Sequence, residues 1–229
     1  MSYDLKYAYL QSHPLFAGLP EQKIKDAVAM AKLRTVFRGE SFVFGEGSYS
    51  KIFLLIKGKI KITESDEMGN EMIKDILTAP DIFGDLSLEN HLSPTEWAEA
   101  LTSNTVICYF NIVDFKKFLQ DNSLLALRYA NTVNSKLKKL ENRHSDLVFR
   151  DTRSRLIRFI KNWAHTDGSR VGDKIVLNNY LTHSDIASVI STSRQSVNVL
   201  LNELRDSGML FYNRKHIELN ALLAAADRM

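Results

Sequence analysis

Residues 181–210, LTHSDIASVISTSRQSVNVLLNELRDSGML, decide how the rest of the chain is read. Thr182 followed three residues later by Asp185 predicts a capping-box helix start, because side chains at that spacing can satisfy each other's backbone N–H groups. Ile186, Ala187 and Ile190 give that first helix an apolar face. Ser191-Thr192-Ser193 breaks it, and Ser193 or Thr192 caps the next helix. Val197, Leu200, Leu201 and Leu204 then recur at i, i+3, i+4 and i+7, an inward stripe of helical period. Gly208 supplies the stop. The reading is two short helices joined by a tight turn.

With that stripe facing inward, Arg194, Gln195 and Asn198 face outward from the first turn and a half of the second helix. Arginine grips guanine O6 and N7 together, and glutamine or asparagine does the same for adenine N6 and N7. A helix-turn-helix presents those N-terminal positions of its second helix to the major groove. An ordinary surface helical pair is the plain alternative.

The stretch is similar to the DNA-reading motif of the cyclic-AMP receptor/fumarate-nitrate regulator (CRP/FNR) family of bacterial transcription factors. The family pattern has a small residue in the first helix, a glycine in the turn and a branched residue in the second helix. Ala187 and Val197 match. Ser191 stands in the glycine place, so a serine must take a conformation glycine adopts at little cost. The resemblance implies that DNA is read through Ser193, Arg194, Gln195, Asn198 and Val199, with Thr182 completing the candidate set. Arg194 matches the guanine-reading arginine, whereas Val199 lacks the polar reach many members have, which implies a different target sequence.

Composition is consistent with this. The 229 residues leave room for one to two domains, and 45% hydrophobic with 25% charged residues is an ordinary globular balance. No uncharged run approaches a membrane-spanning length and residues 1–13 lack a signal peptide's apolar core, so the cytoplasm is the expected compartment and no membrane partner is expected. One cysteine excludes an internal disulfide framework and a CxxC metal site. Residues 150–229 carry 12 Lys/Arg against 8 Asp/Glu, while residues 1–149 carry 18 against 19. A basic C-terminal part suits a phosphate-backbone partner.

Residues 15–32 predict a turn at Gly18-Leu19-Pro20 and then a helix burying Ile24, Ala27, Val28 and Ala31. From about residue 33 to 112, short β-branched and aromatic runs alternate with glycines. Residues 57–63 alternate with period two as one half-buried strand, residues 67–71 predict a hairpin loop, and residues 106–110 a core strand. This texture implies a small all-β sandwich or roll. Arg38-Gly39-Glu40, Phe44-Gly45-Glu46-Gly47, Lys57-Gly58 and Phe83-Gly84-Asp85-Leu86-Ser87 resemble, in order, the landmarks of the family's cyclic-nucleotide-binding-type β-roll. The expected fold class is α+β: a roll with flanking helices over residues 1–120, a dimerisation helix and hinge over 121–150, and a winged helix-turn-helix over 151–229.

The resemblance places an effector pocket at Phe83, Gly84, Asp85, Leu86, Ser87 and Thr95, with Leu140 and Glu141 at base-contacting positions. A cyclic phosphate needs N–H groups at a short helix start, here Phe83-Gly84, plus a fixed cation. Asp85 stands where a ribose-binding glutamate would be. The phosphate-gripping arginine would fall near Pro94-Thr95, yet Gly84 to Ala100 holds no Lys or Arg and four acids, Asp85, Glu89, Glu96 and Glu99. Losing one charge-assisted contact costs roughly 1.5–3 kcal/mol, about one to two decades in affinity. Leu140 and Glu141 likewise replace a threonine and a serine. Cyclic AMP binding in the family's manner is not expected, and the small-molecule effector is left unknown. An iron–sulfur sensor needs several cysteines, and Cys108 is alone among apolar neighbours, a buried structural thiol more than a redox switch. His13 or His91 could ligate haem, with structural or solvent-facing roles the plainer reading. No cofactor is assigned.

Residues 123–149 read as one long helix. Ala126, Ala130, Val133, Leu137, Leu140, His144 and Leu147 alternate by four and three, a coiled-coil seam, with Lys136, Lys138, Lys139, Glu141 and Arg143 mostly off it. Packing on its own domain is the alternative. The resemblance implies dimerisation through Ala130, Val133, Leu137, Leu140, His144 and Leu147, and a two-fold protein suits a palindromic operator. His144 is either a neutral packed residue or a source of pH dependence. Residues 155–164 predict a helix with Leu156, Ile157, Phe159, Ile160 and Trp163 inward, then a loop at Thr166-Asp167-Gly168-Ser169 and a strand pair around 174–177. Residues 209–219 predict a hairpin wing whose tip cations, Arg214 and Lys215, suit phosphate.

These readings converge on a homodimeric transcription regulator of double-stranded DNA, with RNA polymerase as a further partner. The alternative is a ligand-binding roll whose C-terminal domain contacts protein. No Ser/His/Asp, P-loop, HExxH or paired-cysteine signature supports an enzyme.

Overall fold

The glycine-broken runs of the N-terminal half do form strands. After α1 (Tyr3–Ser12), a 3-10 turn (Pro14–Phe16) and α2 (Glu21–Met30) come β1 (Lys32–Val36), β2 (Ser41–Val43), β3 (Gly45–Glu46), β4 (Tyr49–Lys57), β5 (Lys59–Ser65), β6 (Glu71–Thr78), β7 (Asp81–Gly84), β8 (Glu96–Ala100) and β9 (Thr105–Asn111), then α3 (Ile112–Gln120) and α4 (Ser123–Phe149). The structure is a computed structural model that describes residues 3–46, 49–91 and 93–220. Gly47, the last residue of the Phe44-Gly45-Glu46-Gly47 landmark, lies outside the described residues. The chain divides into two units, Met1–Lys139 and Leu140–Met229.

In the first unit one antiparallel sheet runs β1-β9-β4-β3 with β7 also on β4, and another runs β2-β8-β5-β6. The period-two pleat of β4 sorts its side chains between two cores. Phe53 and Leu55 join Val36, Phe42, Ile60, Phe83 and Ile107 between the sheets, where Phe53 stacks on Phe83 at 4.9 Å. Ile52 and Leu54, with Phe110 of β9, join Leu10, Phe16, Val28, Phe115, Leu125 and Tyr129, which the helices and the 3-10 turn lay against the sheet. The apolar run 106–110 is the predicted core strand, lying between β1 and β4.

Two expectations change. Residues 57–63 are not one strand: β4 and β5 belong to different sheets, and Gly58, at φ 92°, turns the corner between them. A Cβ there would stand 2.6 Å from Thr105 Oγ1 and 2.8 Å from Thr102 Oγ1. Helix α1 was not anticipated, since its apolar residues have no sharp helical period; Lys6 Nζ ties it to the carbonyls of Val28 and Ala31 at 3.1 Å. The predicted helix after Pro20 is α2, with Ile24, Ala27 and Val28 buried.

The second unit contains the end of α4, then α5 (Thr152–Asp167), β10 (Ser169–Val171), β11 (Lys174–Asn178), α6 (His183–Val189), α7 (Arg194–Asp206), β12 (Leu210–Tyr212) and β13 (His216–Asn220). Its sheet runs β10-β11-β13-β12. Thr166 and Asp167, expected in a loop, close α5, which Asp151 caps by accepting from Ser154 N at 2.7 Å. The buried face of α5 is Leu156, Ile160, Trp163 and Ala164, while Ile157 and Phe159 are half-buried. Leu156, Ile160, Trp163 and Ala164 recur at spacings of three and four and so line one face, while Ile157 and Phe159 lie about 100° to either side of that line and reach only its edges.

Candidate nucleic-acid interface and effector loop

The capping box at the start of α6 is complete. Thr182 Oγ1 accepts from Asp185 N at 3.1 Å, and Asp185 Oδ2 accepts from Thr182 N at 2.8 Å. The Thr182 hydroxyl also donates to that carboxylate at 2.7 Å, so its polar capacity is spent on the helix itself. Ser191 has φ 55°, the left-handed conformation its place in the turn demands. Arg155 Nε donates to Ile190 O at 2.9 Å and its Nη2 to Ser191 O at 3.2 Å. Arg143 Nη2 donates to Val189 O at 3.2 Å. Carbonyls at a helix end lack intrahelical donors, and a cation there also meets the negative end of the helix dipole. Sequence reading passed over both arginines, because their contacts span 35 to 46 positions and leave no local signature.

Ser193 caps α7 by accepting from Ser196 N at 3.0 Å. Val197, Leu201 and Leu204 are buried and Leu200 is half-buried, which turns Arg194, Gln195, Asn198 and Val199 to the surface, Val199 being 54% exposed. Gly208, at φ 71°, ends the helix while Met209 N returns to Leu204 O at 3.0 Å. In the β12–β13 hairpin the Asn213 side chain accepts from Lys215 N at 2.7 Å and His216 N at 2.9 Å. That leaves Arg214 and Lys215 exposed at a braced tip. His183, in the first turn of α6, lies 5.7 Å from the Tyr212 ring; burial and then the Arg194 charge lower its pKa, which keeps it neutral at pH 7.

In the roll, the helix start expected at Phe83-Gly84 does not form: both residues close β7, and a turn follows at Leu86-Ser87. Leu88 and Asn90 take φ 60° and 57°, which no right-handed helix accommodates. Gly84, at φ 95°, packs where a Cβ would strike the Lys51 carbonyl oxygen. Asp85 is buried and its carboxylate organises the loop: Oδ1 accepts from Ser87 Oγ at 2.6 Å and Ser87 N at 3.2 Å, Oδ2 from Ser50 Oγ and His91 N, both at 2.7 Å. Burial alone would raise its pKa, but these hydrogen bonds outweigh burial and lower it. Tyr129 Oη donates to Leu86 O at 2.6 Å, and Lys136 Nζ meets Asp81 Oδ1 at 2.7 Å, so α4 is tied to both ends of this segment. Phe83 lies in the aromatic core, Ser87 and Thr95 are exposed, and Leu140 and Glu141 are exposed on α4 in the second unit. Cys108 is buried and its thiol is pushed up to about 12 by burial, as a structural thiol requires. His13 is buried too; burial holds its pKa down at about 4, and its Nδ1 accepts from Leu15 N at 3.2 Å.

Residues 34–122 match the cyclic nucleotide-binding domain, and residues 154–224 match the Crp-like helix-turn-helix domain. The chain belongs to the CRP-like family of transcription regulators. It is 28% identical to a global nitrogen regulator of Synechococcus elongatus over 79% of this chain and 82% of that one. It is 24% identical to a CRP-like cAMP-activated global transcriptional regulator of Mycobacterium tuberculosis, covering 82% of each. Among solved structures, a CooA variant from Carboxydothermus hydrogenoformans superposes with a TM-score of 0.70 at 25% identity over 86% of each chain. The c-di-GMP responsive regulator CLP of Xanthomonas campestris, at 15% identity, TM-score 0.73 and 88% and 99% coverage, shares the fold.

This CRP-like chain carries its seam on one continuous helix, α4. Ala126 and Val133 pack on the first unit's own core, together with buried Leu125 and Tyr129. Ala130 and His144 are exposed, as are Leu137 at 52%, Leu140 at 62% and Leu147 at 46%. Leu127, which the seam omitted, is 60% exposed as well. No helix among the described residues is long and apolar enough to cross a membrane.

Proposed function

We propose that this CRP-like regulator binds a palindromic duplex as a homodimer and does so without cyclic AMP. Residues 121–150 then serve as dimerisation helix and hinge between a sensor roll over 1–120 and a winged helix-turn-helix over 151–229. The observation that carries the DNA reading is the exposed row Arg194, Gln195 and Asn198 on the capped start of α7. Val199 adds an apolar contact of the kind that meets a thymine methyl. Ser193 at the cap of α7 and the exposed Arg214 and Lys215 of the hairpin tip suit phosphate, and Thr182 at the start of α6 completes the set. The exposed leucines of α4 support a partner helix from a second copy.

Independence from cyclic AMP is supported by the Asp85 loop. Its carboxylate already holds the N–H groups of Ser87 and His91, and no cation lies between Gly84 and Ala100. A phosphate entering there would displace one anion and meet others. Any effector acts by changing the angle or packing of the paired α4 helices, hence the separation of the two α7 helices and the promoter contacts made with RNA polymerase. No catalytic role is assigned.

The test is selection from a random duplex pool by the purified full chain, with and without cyclic AMP. An enriched palindrome that ignores the nucleotide and is lost in Arg194→Ala is expected. Loss should be about 1–3 kcal/mol per half-site, the worth of a bidentate guanine contact. Enrichment only with cyclic AMP would overturn the pocket argument and leave the DNA reading standing.

A further inference from the structure

The end of α6 is held from outside the helix-turn-helix. Val189, Ile190 and Ser191 are successive residues, and their carbonyls receive Arg143 from α4 and Arg155 from α5. One turn further along α4, Asp146 Oδ2 meets Arg158 Nε of α5 at 3.1 Å, and its Oδ1 meets Arg150 Nε at 2.9 Å. Arg143 and Asp146, three apart, share one face of α4. Leu140, His144 and Leu147 alternate with them along the same eight residues and are exposed. The last turns of α4 thus carry two interleaved sets of side chains, a polar pair bonded to α5 and α6 and an exposed row of two leucines and a histidine.

We propose that Arg143 is a positioning residue that sets half-site spacing. It transmits the placement of α4 to the turn of the helix-turn-helix, and through that turn to α7. The inference rests on the homodimer reading above, since only a pair of α4 helices gives two recognition helices a fixed separation. Arg143 itself makes no base contact here; its hydrogen bond at the C-terminal end of α6 fixes a rigid-body angle. Arg155 grips the same turn from α5 and its Nη1 also donates to Arg150 O at 2.9 Å, so it ties the turn to the α4–α5 junction, whereas Arg143 ties it to the body of α4. A two-fold reader compares half-sites about one helical turn of DNA apart, and each added base pair both lengthens and rotates the site. A loosened α4 joint therefore blurs spacing before it weakens either half-site.

The experiment uses the full chain, the palindrome the wild type selects, and duplexes with the centre lengthened or shortened by one and two base pairs. A single half-site duplex measures intrinsic reading. Arg143→Ala and the milder Arg143→Gln are compared with Lys138→Ala, which removes the same charge elsewhere on α4. Wild type and Lys138→Ala should show one sharp optimum. Both Arg143 variants should keep dimer mass in sedimentation and keep half-site affinity within about twofold. The penalty for one inserted base pair should fall by about tenfold, the scale of one charge-assisted hydrogen bond. An unchanged spacing profile would overturn the inference, as would an equal loss on every duplex or a variant that turns monomeric. A wild type with no spacing optimum and monomer mass would overturn the dimer reading itself, an outcome the variants do not imitate.

Discussion

The loop after Gly84 and the first turns of α7 handle their polar groups in opposite ways. In the loop, Asp85 faces Ser50, Ser87 and the His91 N–H, and Leu86 faces Tyr129, so the polar atoms are matched inside the roll. In the first turns of α7 Ser193 caps the helix by holding Ser196 N, and Arg194, Gln195 and Asn198 stand in solvent. Both segments lie where the family resemblance implies a ligand. A site that satisfies itself has little left to gain from a guest, whereas a preorganised exposed row waits for one. The same contrast divides α4, whose first half buries Leu125 and Tyr129 in its unit while its second half shows Leu137, Leu140 and Leu147 to solvent.

The strongest way to break the comparison is to spoil that exposed leucine row. Leu140→Glu should convert the dimer to monomer by sedimentation equilibrium and weaken palindrome binding by a hundredfold or more. Two leucines leaving a seam lose about 3 kcal/mol or more, before any repulsion between the introduced charges. The melting temperature of the chain, measured at low protein concentration, should stay within a few degrees, since Leu140 is 62% exposed. A dimer that survives would mean that α4 pairs along another face, with Leu127 the next residue to change.

Next comes the self-satisfied loop. Asp85→Asn should destabilise the roll by about 1–3 kcal/mol at pH 7, because its amide offers donors to groups that are themselves donors. The sign with pH follows from the lowered pKa of Asp85. Its contribution is complete above the unfolded carboxyl value of about 3.9 and fades as pH falls through the lower folded value, so wild type and variant should converge in acid. Thermal melts between about pH 7 and pH 2 check this. A gap that widens in acid would mean the carboxyl enters the fold protonated. Tyr129→Phe should cost less, about 1 kcal/mol, by leaving Leu86 O without its donor.

How much of this was legible depended on distance along the chain. The caps at Thr182 and Ser193 and the stripe of α7 follow from residues within four positions of one another, and the left-handed Ser191 from the family resemblance, which puts a glycine there. The corner at Gly58 was misread because alternation says which face a residue takes, not which sheet a strand joins. The turn at Asp85 was misread because a carboxylate that collects N–H groups from Ser87 and His91 reshapes a segment whose composition still permits a helix. The seam of α4 reads as one row in sequence, yet Ala126 and Val133 serve the local core while Leu137, Leu140 and Leu147 are exposed. Arg143 and Arg155 left no trace at all. A basic residue on a polar helix face reads as solvated until its carbonyl appears, 35 to 46 positions away.

The smallest expected effect sharpens the comparison at its most local point. Ser191 holds φ 55°, and an L-residue in that region costs roughly 1–2 kcal/mol. Ser191→Gly removes the cost but frees the unfolded chain, which returns about 0.4–1 kcal/mol. The net should be a gain of about 0.5 kcal/mol in stability, read as a rise in the denaturation midpoint with an unchanged slope. DNA affinity should not move, because the Ser191 carbonyl that Arg155 holds belongs to the backbone and survives the substitution. If affinity instead drops while stability rises, the serine hydroxyl is itself a phosphate contact, and the reading face of the turn extends one residue further toward α6 than its polarity implied.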